Sequence, residues 1–194
     1  MLKNNKILSQ LALLSILFLP AGKAAATPAL QNISEAFPNA ARSAVMLIST
    51  LPSLVAIPFA LLTGAVVGKK FNYKSMALMG TALIMVGGVT PAFINHEINI
   101  ILLARAVFGA GIGIMMPLGK LLILKLFDGQ ARANMLGASA MVGNGGAVFF
   151  LMAGSVLCTF NWKYTFYAYL VAALPLIVVF FFLREPEKEE TVKN

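Results

Sequence analysis

The chain has 194 residues, 59% of them hydrophobic and only 11% charged, with a mean hydropathy of +0.85 and a formal charge of +8. A soluble core of this size does not need so apolar a composition, and too little polar chain remains for a soluble catalytic domain, so the sequence reads as a membrane protein. The positive charge is divided among short segments between apolar runs, which argues against a nucleic-acid-binding surface.

A hydrocarbon core about 30 Å thick needs roughly 20 helical residues per crossing. Six runs of that order are present. The first, 7–29, follows the basic start MLKNNK and contains Lys23. Its flanks also resemble a cleavable secretory signal, but the run is longer than a usual signal core, so an uncleaved span is the simpler reading. The segment LQNISEAFPNAAR, with Asn32, Pro38 and Asn39, then reads as a polar loop. The second run, 43–67, holds Pro52 and Pro58 and is followed by the basic loop GAVVGKKFNYK at 64–74. The third, 75–94, contains Gly87 and Gly88 and ends at the hairpin FINHEIN, whose His96 is the only histidine and reads as a solvated imidazole.

The fourth run, 99–122, places Arg105 among aliphatic, aromatic and glycine residues, with Gly109, Gly111 and Gly113 just after it. The fifth, 134–158, carries GNGG at 143–146, in which Asn144 is the candidate cavity-lining polar group. The sixth, 163–183, precedes the tail REPEKEETVKN, 184–194, which has mixed charge and no apolar face and is expected to be disordered and cytoplasmic. A cytoplasmic N-terminus puts Lys3, Lys6, Lys69, Lys70, Lys74, Lys125 and Arg132 inside and only Arg42 and Lys163 outside, so the positive-inside rule predicts both termini in the cytoplasm and a multi-pass protein of the plasma membrane.

Chemistry-bearing patterns are missing from the spans. There are no paired intramembrane carboxylates, no His/Cys metal spacing, no G-x-S-x-G and no phosphate-binding glycine loop, so neither an enzyme nor a metal or other cofactor is expected. A single cysteine, Cys158, allows no intrachain disulfide. The recurring glycines permit close helix packing, and the same small faces also suit helices that rock between two packings.

Several stretches together resemble the major facilitator superfamily of secondary transporters. LLARAVFGAGIGIMMP, 102–117, is similar to that family's fourth-span motif, with Arg105, Gly109, Gly111 and Gly113 at matching positions and Phe108 where many members have glutamine. GAVVGKKFNYK resembles the loop G-x-L-a-D-R-x-G-R-K more loosely: no acid is present, Lys70 and Lys74 stand at basic positions, and Asn72 stands for the later glycine because asparagine tolerates the left-handed conformation. Gly64 and Gly68 open that element, and the missing acid removes the salt-bridged latch that typical members have there. NWKYTFY, 161–167, looks like the family's Trp-Arg-x-x-Phe start of the sixth span, with Lys163 in place of arginine. TPALQNISEAFPN and TLPSLVAIPFALLTG look most like bacterial drug-exporter-type members.

The resemblance implies an all-α membrane protein of six transmembrane helices, a half bundle built as a 3+3 inverted repeat. It implies alternating-access transport of a small molecule, with efflux as one direction, completed by a second six-span half. That half would be an identical copy in a homodimer or a separate polypeptide. Two other readings stay open: a truncated, inactive remnant, and a non-transporting membrane scaffold.

Arg105 lies roughly 9 Å inside the boundary at Asn99, and Lys23 roughly 10 Å inside the same boundary counted back from Leu30, at 1.5 Å of rise per residue. In the resembled fold spans one and four line the central cavity, so Lys23 and Arg105 are expected to face one polar space, with snorkelling to the interface as the alternative for Lys23. Lys120, about 22 Å beyond Arg105, reads as an interfacial anchor. No acid lies within a span on this reading, so an anionic substrate or a carboxylate of the partner half is expected to balance the two cations. The bilayer, the substrate and that second half are the expected partners.

Overall fold

A computed structural model describes residues 2–183, with side chains from residue 10 onward except at 182. The expected disorder of the tail 184–194 concerns residues outside the described range. Among the described residues the only pairing of extended backbone is an isolated bridge between Val67 and Phe71, and everything else regular is helical. Six helices among the described residues are long and apolar enough to cross a membrane: α1 Gln10–Ala36, α2 Arg42–Val66, α3 Tyr73–Phe93, α4 Ile98–Leu126, α5 Gly129–Phe160 and α6 Trp162–Phe181. Hydrocarbon offers no partner to a free N–H or C=O, so a chain this apolar satisfies its backbone inside helices.

Three boundaries differ from those read in the sequence. The first helix does not stop at 29 but runs on through Leu30–Ala36, because Ile33 is fully buried and continues the apolar face; the chain turns only ahead of Pro38. The fourth and fifth helices extend to Leu126 and back to Gly129, leaving Phe127 and Asp128 as a tight link. Arg132 closes that link: its Nε donates to the Phe127 carbonyl at 2.8 Å, and its Nη2 donates to the Leu124 carbonyl at 2.9 Å and to Asp128 Oδ1 at 2.7 Å. Carbonyls left over at the end of α4 are thereby paired.

The α4 helix is the centre of the bundle, with 61% of its most apolar 18 residues buried, against 22% for α2 and α5. Its glycines explain how neighbours come so close. A Cβ on Gly109 would lie 2.6 Å from the Pro52 carbonyl oxygen, and one on Gly113 would lie 2.5 Å from that of Ala56, so this face admits α2 at backbone contact. A Cβ on Gly111 would lie 2.7 Å from the Gly80 carbonyl oxygen of α3, on another face. In lipid such contact supplies the packing that water exclusion supplies elsewhere. On the other side of the bundle α5 packs on α1, and α6 packs on α3 and α5.

Both α1 and α6 tighten to 3-10 spacing, over Leu19–Ala29 and Trp162–Ala172 respectively. These stretches meet one another, since a Cβ on Gly22 would lie 3.3 Å from the Tyr169 ring. Lys23 is the next residue. The loops 37–41 and 94–97 mark one end of the bundle, where Phe37 packs on Trp162. The loop 67–72 marks the other, where the Lys74 ammonium sits 5.7 Å from the centre of the Phe180 ring and that of Lys125 6.0 Å from the centre of the Tyr73 ring.

Candidate functional site

A cavity of about 840 Å³ is walled by α1, α2, α4 and α5. From α1 come Leu17 and Lys23, from α2 Ser53 and Ile57, from α4 Ile112, Met116 and Lys120, and from α5 Leu136, Ser139 and Asn144. Residues 112, 116 and 120 recur at i, i+4 and i+8, which puts them on one stripe of α4. Among the described residues no carboxylate lines the cavity. Its charged groups are the two lysines, neither of them buried by the protein, and its polar neutral groups are Asn144 and the two serines.

Lys23 also belongs to a second recess, of about 520 Å³, between α1 and α2. Four hydroxyl residues surround it there: Thr27, Ser49, Thr50 and Ser53. The Thr50 hydroxyl is already donated to the Met46 carbonyl at 3.4 Å. Ile57 and Ser53 line both spaces, so the ammonium of Lys23 stands between a hydroxyl-rich recess and a largely aliphatic one.

Arg105 is not on this wall, contrary to the expectation that it shares a space with Lys23. Its side chain is 0% exposed. Nε donates to the Ile48 carbonyl of α2 at 3.0 Å, Nη1 donates to the Tyr169 hydroxyl of α6 at 3.0 Å, and the guanidinium carbon lies 4.2 Å from the centre of the Phe108 ring. The reason is depth rather than direction. Arg105 lies on the stripe of Ile112 and Met116, but about 10 Å further along α4 than Ile112, where the bundle has closed over it. A phenol, a carbonyl and an aromatic face hold the cation without an acid.

The remaining candidate positions separate into contacts and open faces. Gly109, Gly111 and Gly113 are tight helix contacts as described above. Gly64 is not: nothing lies within 4 Å of a Cβ built on it, so no close approach requires glycine there. Gly68 takes the left-handed conformation at φ 77, with its N–H donating to the Phe71 carbonyl at 2.8 Å. Asn72 does not take the left-handed role expected of it, since it is extended at φ −69 and ψ 146 and leads directly into α3. The loop needs one positive φ, and Gly68 supplies it. Lys70 is exposed and Lys74 half-buried at the same end of the bundle.

Two contributors were not anticipated. Lys120 lines the cavity instead of serving only as an anchor, and its i+4 spacing from Met116 was the available signal. Tyr169 pairs with Arg105 across 64 residues, and no local pattern announces such a partner.

A family model described as Major Facilitator Superfamily matches residues 12–194. The multidrug transporter protein MdtP of Bacillus subtilis (strain 168) is 29% identical over 129 residues, which is 66% of this chain and 23% of that protein. The xylose transporter XylE from E. coli, in an inward-open conformation, superposes with a TM-score of 0.79 at 17% identity, over 95% of this chain and 49% of that one. A bacterial homologue of the human lysosomal transporter Spinster, inward-facing and unoccupied, superposes with a TM-score of 0.73 at 16% identity, over 98% of this chain and 45% of that one. The chain thus spans 23% of the curated relative it matches and just under half of these solved structures. With six membrane-length helices and a family match that covers nearly all of it, the chain belongs to the Major Facilitator Superfamily.

Proposed function

We propose that this chain forms one half of an alternating-access secondary transporter for a small molecule, with the cavity between α1, α2, α4 and α5 as its half of the substrate path. The observation that carries this reading is the pair of lysines on the cavity wall. Two ammonium groups and an amide within membrane-length helices are poorly served by hydrocarbon, where a charge at the centre of a span costs about 2.5–3.5 kcal/mol on insertion scales and less toward an interface. A second six-helix body over the same face gives them a polar, water-bearing space and gives transport the two bodies it needs. That body is a second copy of this chain or a separate polypeptide. Both termini lie in the cytoplasm, at the end bearing Lys69, Lys70 and Lys74, in the plasma membrane. Resemblance to a multidrug transporter favours efflux.

The test is reconstitution of the full chain, with any co-purifying six-helix partner, into liposomes. Flux of a solute above that of protein-free liposomes, with crosslinks to a second six-helix body in native membranes, is the expected result. Monomers alone and no flux would favour an inserted but inactive half.

A further inference from the structure

We infer that the cavity takes an amphipathic organic anion, with its acid group against Lys23 and its apolar body along α2, α4 and α5. This rests on the reading of the cavity as a substrate path and specifies what travels through it.

The donor set at one end is that of an oxyanion site. Lys23 supplies a charge and up to three N–H donors, and Thr27, Ser49 and Ser53 add hydroxyls around the same recess. Among the described residues no carboxylate lines either space, so on the walls this half supplies an organic cation would meet two ammonium groups and no counter-charge. Away from Lys23 the walls change character. Ile112, Met116 and Leu136 form an apolar stretch whose side chains donate no hydrogen bonds. Against that stretch a small, fully hydrated anion gains nothing, while an anion with an apolar body buries that body.

Lys120 fixes the direction. A Cβ on the adjacent Gly119 would touch the Leu17 side chain, so Lys120 lies level with Leu17 of α1. Lys23 follows six residues later, roughly 10 Å deeper at the rise of mixed α and 3-10 backbone. An anion entering from the end that bears the loop 67–72 therefore passes Lys120 first and reaches Lys23 with its head. Two like charges spaced along one path attract an anion into it and repel a cation.

Equilibrium binding to the full chain, with its partner half if one co-purifies, in nanodiscs of zwitterionic lipid tests the inference directly. The probes are radiolabelled 4-phenylbutyrate, 4-phenylbutanol and 4-phenylbutylamine, which share an apolar body and differ in the head, with empty nanodiscs as the blank. The carboxylate should bind saturably, the alcohol about tenfold more weakly and the amine not at all, as expected when a charged hydrogen-bonded contact is lost or reversed. Lys23→Gln should weaken carboxylate binding about tenfold and leave the alcohol unchanged, and Lys23→Arg should restore the carboxylate. Because Lys23 is not packed into the protein core, the glutamine variant should keep its fold, which an unchanged melting curve verifies. Equal binding of amine and carboxylate, saturable binding of none of the three, or unchanged carboxylate affinity in Lys23→Gln would overturn it. Binding without flux would defeat the transport reading alone, and flux with no preference for the acid would defeat this inference alone.

Discussion

The Arg105 guanidinium donates through Nη1 to the Tyr169 hydroxyl at 3.0 Å and through Nε to the Ile48 carbonyl at 3.0 Å, so one cation joins α4 to α6 and to α2. It is a fully buried charge with no carboxylate among its contacts. The Phe108 and Tyr169 rings also face it, with centres 4.2 and 5.4 Å from the guanidinium carbon. The oxygen lone pairs and ring faces beside it offset part of the cost of burying the charge, while its Nη2 is buried without a hydrogen-bond partner among the described residues.

Tyr169→Phe should therefore lower stability by about 1–3 kcal/mol, since it strands a buried donor. Arg105→Met removes the donor itself, so the double variant should lose about 1–2 kcal/mol less than the two singles combined. Thermal unfolding of the four proteins in nanodiscs measures this coupling. Simple additivity would mean that the Tyr169 contact contributes little.

The glycines of α4 give a second, sharper contrast. Gly109→Ala and Gly113→Ala drive a methyl into the backbone of α2 and should each cost about 1–3 kcal/mol. Gly64→Ala meets open space within a helix and should be neutral or stabilise by up to about 1 kcal/mol. The same melting assay separates these outcomes, and equal effects at the three positions would contradict the packing described for α2 on α4.

At the loop 67–72 the left-handed residue is Gly68, so Gly68→Ala should cost about 1–2 kcal/mol. A Cβ there would also press on the Tyr73 hydroxyl at 2.9 Å. Asn72→Gly, by contrast, removes no positive-φ residue and no side-chain cap, and should change stability by only a few tenths of a kcal/mol. A larger loss at Asn72 than at Gly68 would reverse the assignment.

Helix number and class were legible because the run length needed to cross a bilayer is set by its thickness, and each of the six runs meets it. Helix ends were less so. Ile33 continues the buried face of α1 into a stretch whose asparagines and glutamate read as loop, and Arg132 pairs the end of α4 only once the chain has turned. Lys23 and Asn144 were identifiable as polar residues inside apolar runs, and both line the cavity. The burial of Arg105 was not legible. Its stripe on α4 is the stripe of Ile112 and Met116, and only the third dimension shows that Ile48 and Tyr169 close over it. Lys120 shows the converse, because distance along the helix suggested an interface while its face set its environment.

Thiol accessibility tests the central claim, that α1, α2, α4 and α5 wall a polar path which Arg105 does not reach. In a Cys158→Ala background, single cysteines at Ser53, Asn144, Phe108 and Met152 would be exposed in native membranes to a charged methanethiosulfonate reagent. Ser53→Cys and Asn144→Cys line the cavity and should react; Phe108→Cys, 0% exposed beside Arg105, and Met152→Cys, 63% exposed on α5 outside the cavity lining and expected to meet hydrocarbon, should not. Silence at Ser53 and Asn144, or labelling at Phe108 as fast as at Asn144, would contradict the account.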